Sequence, residues 1–286
     1  MAKFLNVLRK RAGVHSLLSA INTNPKIAKN GKLGILTGIL HLAPGDMSGH
    51  EVCPKRSPGC SAACLHYAGS PAYQTGKTTA RIARTKLLFA DRNMFMNILV
   101  LEMAEHIEKA KTLNLEPSFR LNGTSDIVWE RKSFILWPET AEALRVINED
   151  INLAAKNVIE MFPTTAFYDY TAIAKRNPPE NYYLVFSAKE QNMNDVAFEM
   201  GRGTNIAVVF PTKDLPTQLW GREVINGDEH DYRPADPLGV IVGLKAKGTK
   251  GRKDTSGFIY RVIDSGKQDI FAMGSQAIDR VSGLQT

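Results

Sequence analysis

The sequence is poor in cysteine: it has only three among 286 residues, and all of them fall between positions 53 and 64. An odd number of closely spaced cysteines argues against a disulfide framework, and core cysteines would be scattered along the chain. No apolar run is as long as a membrane span, and the apolar stretch at residues 4–8 is too short for a secretory signal. We therefore expect a protein of the reducing cytoplasm without a membrane partner.

Acidic residues are missing from the start of the chain, where the first one is Asp46. Seven lysines and arginines precede it, and they account for the whole formal net charge of +7, the difference between 36 basic and 29 acidic residues. We expect residues 1–31 to form a basic N-terminal arm and residues 32–286 to form a single domain. Such an arm suits contact with nucleic-acid phosphates. The alternative is a short amphipathic helix that packs on the domain.

The three cysteines, Cys53, Cys60 and Cys64, lie on a loop broken by Pro and Gly, with six and three residues between them. Thiolates converge on soft metals, so the loop predicts a metal centre. A [4Fe–4S] cluster on three cysteines leaves one iron open, which is how radical enzymes bind S-adenosylmethionine, although their usual gaps are three and two residues. Zinc is the second interpretation, and it would need His66 or His50 as a fourth ligand.

Short apolar segments alternate with helical ones over most of the chain. The predicted strands are residues 33–42, 118–121, 165–170, 182–186, 205–210 and 239–244. The predicted helices are residues 138–162, 192–201 and 78–112, the last with a break near Asp91. This alternation predicts an α/β fold with a parallel sheet that is TIM-barrel-like, as a complete or a partial β/α barrel.

Polar side chains follow the predicted strands, where ligands bind in parallel α/β folds. These residues are Asn122, Thr124, Ser125, Asp126, Asp169, Tyr170, Ser187, Glu190, Lys245 and Lys247. Basic residues at helical spacing share a face early in the long helix, and they are Lys77, Arg81 and Arg84. We expect this face, with Lys245 and Lys247, to contact the phosphates of a nucleotide or nucleic acid; a solvated basic face is the alternative.

An acidic turn at residues 226–231 contains an Asn-Gly pair and His230. Its carboxylates could bind a hard divalent cation, or they could form a solvated turn. Together with Asp126 and Asp169, the turn residues Asp228 and His230 would make a metal-dependent nuclease. A zinc-stabilised nucleic-acid-binding protein is the other alternative function.

The three-cysteine loop, the LNGTSDI motif at residues 121–127 and the FYDYT motif at residues 167–171 stand together in this chain. With these motifs the chain resembles, from about residue 33 to 248, a family of phage and mobile-element proteins that is radical-SAM-like in layout. The resemblance implies a radical-SAM-like enzyme in the host cytoplasm that acts on a nucleotide or nucleic acid.

The layout of radical-SAM enzymes also implies residue roles. Cys53, Cys60 and Cys64 would hold a [4Fe–4S] cluster. The residues expected to position S-adenosylmethionine are Asn122, Thr124, Ser125, Asp126 and Ser187, although the usual Gly-Gly-Glu is missing here. The residues expected to act in catalysis are Asp126, Asp169, Tyr170 and Glu190.

Overall fold

The computed structural model describes residues 1–19, 30–67, 74–147, 150–248, 251 and 253–261. Its helices are α1 (Ala2–Ala12), α2 (Pro58–Ala62), α3 (Gln74–Ala90), α4 (Arg92–Thr112), α5 (Pro138–Arg145), α6 (Val158–Met161) and α7 (Met193–Gly201). Its strands are β1 (Ile35–Ile39), β2 (Glu116–Arg120), β3 (Ala166–Thr171), β4 (Tyr182–Ser187), β5 (Ile206–Phe210), β6 (Gln218–Leu219), β7 (Arg222–Asn226) and β8 (Ile241–Lys245).

The strands form an eight-stranded, mostly parallel sheet in the order β1-β2-β3-β4-β5-β8-β7-β6. Strand β1 runs parallel to β2, and β8 runs parallel to both β5 and β7, which confirms the expected α/β fold. Over the residues that the structure describes, the sheet is not closed. It ends on a short antiparallel β6–β7 hairpin instead of on a parallel strand that could pair with β1. A barrel, complete or partial, is therefore not confirmed for this part of the chain.

The chain divides into two compact units. The first comprises Met1–Pro54, Ser70–Asp169 and Asn177–Tyr183, and the second comprises Lys55–Gly69, Tyr170–Arg176 and Leu184–Thr286. The expected boundary between an arm and a single domain near residue 32 stays a prediction. Residues 20–29 of that arm lie outside the described residues.

Helix α4 forms the centre of the first unit and is buried along most of its length. It packs against α1, α3, β1 and β2, as expected for a helix that is apolar around most of its surface. The Asp91 side chain accepts a hydrogen bond of 2.9 Å from the Met94 N–H and caps the helix. The predicted break near Asp91 is thus confirmed.

The N-terminal segment is held to α4 by the Glu102 carboxylate, whose residue is only 4% exposed. This carboxylate accepts hydrogen bonds from Arg9 Nε at 2.9 Å, from the Leu17 N–H at 2.9 Å and from the Leu18 N–H at 2.7 Å. A buried carboxylate is stable only when its oxygens find such donors. Residues 1–19 are therefore docked on the first unit, as the packed-helix alternative predicts.

The core of the second unit lies between β5, β8 and α7, where Phe186, Val208, Phe210 and Ile241 are buried together. Strands β5 and β8 are aligned from Ile206 opposite Ile241 onwards. None of the described helices is both long and apolar enough to cross a membrane.

Candidate functional site

The cysteine loop contains a short helix that the strand and helix periodicity does not predict. Helix α2 begins after Ser57, whose Oγ accepts a hydrogen bond of 3.2 Å from the Cys60 N–H, and Pro58 occupies its first turn. Ser57 followed by Pro58 is a typical helix start, so this signal was present in the sequence. The turn therefore fixes the backbone of Cys60 by local hydrogen bonding.

Glu190, from the loop after β4, anchors this helix within the second unit. Its Oε2 accepts a hydrogen bond of 2.8 Å from Ser57 Oγ, and its Oε1 accepts one of 2.9 Å from the Gly59 N–H. The neighbouring Lys189 is 6% exposed and donates from Nζ to the Lys55 carbonyl. Both charged side chains therefore hold the cysteine loop, whereas the sequence predicted a catalytic role for Glu190.

Gly59 is in close contact with the wall formed by residues 254–258. A Cβ atom at this position would lie nearest to Ser256 Oγ, 2.5 Å from Phe258 Cβ and 2.9 Å from Glu190 Oε1. Real Cβ atoms do not come so close to other heavy atoms, so only glycine fits without movement. The sequence shows the glycine but not this close approach.

Two of the three thiols, Cys60 and Cys64, belong to the second unit, and Cys64 affects the pKa of Cys60. The pKa of the Cys60 thiol is raised to about 11, first by burial and then by nearby Cys64, with a smaller contribution from Glu190, while Lys189 and a hydrogen bond with the Ser57 backbone oppose the shift. In the absence of a cation, Cys60 is therefore a neutral thiol at pH 7.

The third thiol, Cys53, belongs to the first unit. Its Sγ lies 3.8 Å from the Thr124 carbonyl oxygen, and its N–H donates to Glu51 Oε1 at 2.6 Å. All three cysteines are half-buried, and none of them forms a disulfide. In the part of the chain that the structure describes, no group of three or more histidine, cysteine, aspartate or glutamate side chains could hold a metal ion. The metal centre therefore stays a prediction.

A cavity of about 730 Å³ opens beside α2 within the second unit. It is lined by Pro58, Gly59, Ala62, Lys253, Asp254, Thr255 and Ser256. Its volume is in the range of small-molecule sites.

The LNGTSDI motif forms a tightly bonded loop after β2 in the first unit. Asn122 Oδ1 accepts hydrogen bonds from Ser125 Oγ at 2.9 Å, from the Ile127 N–H at 2.9 Å and from Trp129 Nε1 at 3.1 Å. Thr124 Oγ1 donates to the Leu42 carbonyl at 2.6 Å. The side chains of three predicted cofactor ligands therefore shape the loop itself.

Two other residues of the predicted site also make contacts within the protein. The Asp126 N–H donates to the Val52 carbonyl at 2.7 Å, and the residue is 9% exposed. Ser187 ends β4, and its carbonyl accepts a hydrogen bond of 2.9 Å from Asn192 Nδ2. Tyr170 packs against the apolar cluster around Val242 in the second unit.

Asp169 is fully buried and its carboxylate is occupied by protein donors. It accepts hydrogen bonds from the Leu121 N–H at 3.2 Å, the Asn122 N–H at 2.8 Å and Tyr182 Oη at 2.9 Å. Arg120 Nε lies 3.9 Å from the same carboxylate. These contacts give Asp169 a structural part in joining β2 to its neighbours.

The acidic turn after β7 makes hydrogen bonds and ion pairs with nearby basic residues of the protein. Asp228 accepts hydrogen bonds of 3.0 Å from the Lys245 N–H and from Lys247 Nζ. His230 Nδ1 lies 3.1 Å from Arg233, and burial followed by that charge lowers the pKa of His230. A predicted metal ligand and a predicted phosphate ligand thus form an ion pair, and the nuclease hypothesis gains no support from these contacts.

Arg84 of α3, predicted to contact phosphate, is bonded to backbone within the first unit. Its Nε donates to the Ser16 carbonyl at 2.7 Å, and one terminal nitrogen lies 3.4 Å from the His41 carbonyl. Burial lowers the pKa of Arg84, and Glu102 counteracts this shift. Arg84 therefore holds the N-terminal segment.

The fold and its contacts define an α/β protein with an open, mostly parallel sheet and a cysteine loop held by Lys189 and Glu190. The chain belongs to the gene product 88 family, whose model matches residues 16–262. This match agrees with the expected phage-type family. Comparisons with curated proteins and with solved structures found no match.

Proposed function

We propose that this protein is an iron–sulfur enzyme in which Cys53, Cys60 and Cys64 bind a [4Fe–4S] cluster and the open iron binds S-adenosylmethionine. In this proposal the sheet is a partial β/α barrel of the radical-SAM type. The observation that carries the proposal is the immobilisation of α2, because Glu190 and the packing at Gly59 fix the backbone that bears two of the thiols. Preorganised ligands are what a cluster site requires.

The charges around Cys60 add a requirement to this proposal. Its thiol has a pKa of about 11, so it needs a cation nearby to become a thiolate ligand. Lys189 is the protein cation that already lowers this pKa. When bound, the cluster would supply an electron to S-adenosylmethionine, and the protein would orient both and exclude water.

The proposed substrate is a nucleotide or nucleic acid, and the proposed location is the cytoplasm of the host cell. The net charge of +7 supports a polyanionic substrate. The residues proposed to position S-adenosylmethionine are Asn122, Thr124, Ser125, Asp126 and Ser187. The residues proposed to line the substrate cavity are Asp126, Asp169, Tyr170 and Glu190.

The test is anaerobic purification followed by reconstitution with iron and sulfide. We expect about four iron and four sulfide ions per chain, with visible absorbance that is lost in Cys60→Ser. Ser61→Ala, one residue further along α2, is the matched control and should keep the cluster. A colourless protein with one zinc ion and no sulfide would overturn the proposal.

One observation favours zinc as a second candidate. His66, two residues after Cys64, is 2% exposed and could complete a Cys3His set. The protein would then be a zinc-stabilised nucleic-acid-binding protein. His66→Ala should abolish zinc binding in that case, whereas it should leave a cluster on the three cysteines in place.

A further inference from the structure

Helix α1 of the first unit carries a basic stripe on the side opposite its buried leucines. The residues of this stripe are all exposed, and they are Lys3, Val7, Lys10 and Arg11. With about 3.6 residues per turn, these four positions share one arc of about 100° around the helix axis. The buried side of the helix carries Leu5 and Leu8. The stripe is therefore one continuous surface that faces solvent.

The three cations of the stripe make no ion pair with any residue in the described part of the chain. Glu102 and Glu105 of α4 reach α1, but both of them bind Arg9, at 2.9 and 3.5 Å. No acidic residue precedes Asp46 in the sequence, so none stands beside the stripe on its own helix. The positive charge of the stripe is thus left without a carboxylate among the described residues.

The stability of the helix itself explains only part of this charge. Lys10 and Arg11 stand in the last turn of α1, where the helix dipole favours cations. Lys3 stands in the first turn, where the dipole favours anions, and this turn contains no acidic residue. A polyanionic partner outside the helix accounts for all three charges, whereas the dipole accounts for two.

We propose that the basic stripe of α1 binds the phosphodiester backbone of a nucleic acid. Lysine and arginine side chains donate charge-assisted hydrogen bonds to phosphate oxygens. The stripe extends over about 12 Å of the helix axis, and one strand of a duplex carries a phosphate about every 3.4 Å. A polymer therefore offers phosphates to all three cations at once, whereas a single phosphate group cannot. The choice of nucleic acid among polyanions rests on the proposed function, but binding does not require the cluster.

An anionic membrane is the other surface with repeated phosphates, and the packing of α1 argues against it. A helix that lies on a membrane inserts its apolar face among the lipids. In α1 this face is already occupied, since Leu5 and Leu8 are 0% and 4% exposed. Val7 is the apolar residue that the exposed stripe retains. The helix thus offers a membrane its charge but not its apolar face.

The test is fluorescence anisotropy of a labelled duplex DNA titrated with the full-length protein at several salt concentrations. Each phosphate contact adds about 0.9 to the slope of log affinity against log salt, so three contacts add about 2.7. The stripe variant combines Lys3→Gln, Lys10→Gln and Arg11→Gln. It should reduce the slope by about 2.7 and weaken binding in low salt by about tenfold or more.

The matched control variant removes the same amount of charge elsewhere. It combines Lys86→Gln, Lys109→Gln and Lys213→Gln, all at exposed positions outside α1. Since these lysines lie outside the stripe, the slope and the affinity should stay close to those of the unmodified protein. Circular dichroism would check that both variants fold.

Lys3→Gln alone separates binding from folding. It should reduce the salt slope by about 0.9, because one phosphate contact is lost. It should leave the free energy of unfolding equal or higher, because a cation in the first turn opposes the helix dipole. Weaker binding in a protein that is at least as stable cannot come from a damaged fold.

Two results would overturn this inference. One is an equal loss of DNA binding in the stripe variant and the control variant, which would indicate unspecific attraction by net charge. The other is binding to phosphatidylserine vesicles through the stripe without binding to DNA, which would make the partner a membrane. Cys60→Ser should bind DNA as well as the unmodified protein does. Loss of the cluster without loss of DNA binding would thus separate this surface from the proposed enzymatic function.

Discussion

Gly59→Ala tests whether the cysteine helix is held by the packing described above. The added Cβ atom would meet Ser256 Oγ, Phe258 Cβ and Glu190 Oε1, the last two at 2.5 and 2.9 Å. The Phe258 atom is attached to the backbone and cannot turn away. Ser256 Oγ donates to Asp254 at 2.6 Å and accepts from the Phe258 N–H at 3.2 Å, so its rotation would break two hydrogen bonds.

The size of the effect follows from these contacts. Overpacking of a close contact costs about 1 to 3 kcal/mol. Each hydrogen bond lost by Ser256 adds about 1 kcal/mol. We expect Gly59→Ala to lower the free energy of unfolding by about 3 to 5 kcal/mol, because α2 must shift or the wall must rearrange. The shift would also reduce cluster incorporation, since it moves the backbone of Cys60.

Urea denaturation and iron analysis measure both effects. Gly76→Ala is the control, because Gly76 lies on α3 with nothing within 4 Å of an added Cβ atom. That change should raise the free energy of unfolding by about 0.5 kcal/mol through helix propensity. Adding Ser256→Ala to Gly59→Ala should recover part of the loss. A Gly59→Ala protein with unchanged stability and full iron content would refute the reasoning.

Three further changes can be checked by denaturation with urea. Glu102→Gln should lower the free energy of unfolding by about 2 to 3 kcal/mol, because its buried donors lose a charged acceptor. Glu105→Gln is the control: this residue pairs with Arg9 at a partly exposed position, so its change should lower the free energy of unfolding by about 0.5 kcal/mol or less. Asp169→Asn should lower the free energy of unfolding by about 2 to 4 kcal/mol, since an amide NH2 would face an N–H donor. A stability equal within error to that of the unmodified protein would contradict the structural role of Asp169. The third change is Cys60→Ser, followed as a function of pH. The pKa of Cys60 is raised from 9.0 to about 11 in the folded protein, so the stability that the protonated thiol contributes is present below pH 9 and is lost as the pH rises towards 11. Between pH 9 and pH 11, the free energy of unfolding of the metal-free protein should fall by about 1 to 2 kcal/mol more than that of Cys60→Ser. Parallel curves of stability against pH for the two proteins would contradict this expectation.

The sequence predicted much of the sheet, because buried parallel strands are short apolar runs with clear ends. The predicted strand at residues 205–210 contains β5, and the break at Asp91 coincides with the cap of α4. The predicted helix at residues 138–162 was too long, since α5 ends at Arg145 and the short α6 begins at Val158. Apolar spacing in this stretch does not reveal where the backbone leaves the helix.

The candidate site could be predicted only in part, because a polar residue at a strand end has two possible uses. Asp169 and Asn122 stand where ligands bind in α/β folds, yet their side chains hold adjacent backbone segments together. Whether such a side chain binds a ligand or holds the backbone depends on hydrogen-bond donors elsewhere in the chain. For Asp169 one such donor is Tyr182, which is 13 residues away in the sequence. Residue type and spacing carry no information about such partners.

The same argument separates two groups of charged residues in this protein. Glu190, Asp169 and Glu102 are carboxylates whose oxygens are occupied by protein donors, so they fix the backbone around the candidate sites. Glu108 and Glu142 form the second group, because each pairs with a basic residue three positions away on an exposed helix face, where an ion pair adds little stability. In this family member, burial and donors distant in the sequence therefore distinguish structural carboxylates from surface ones better than residue type does.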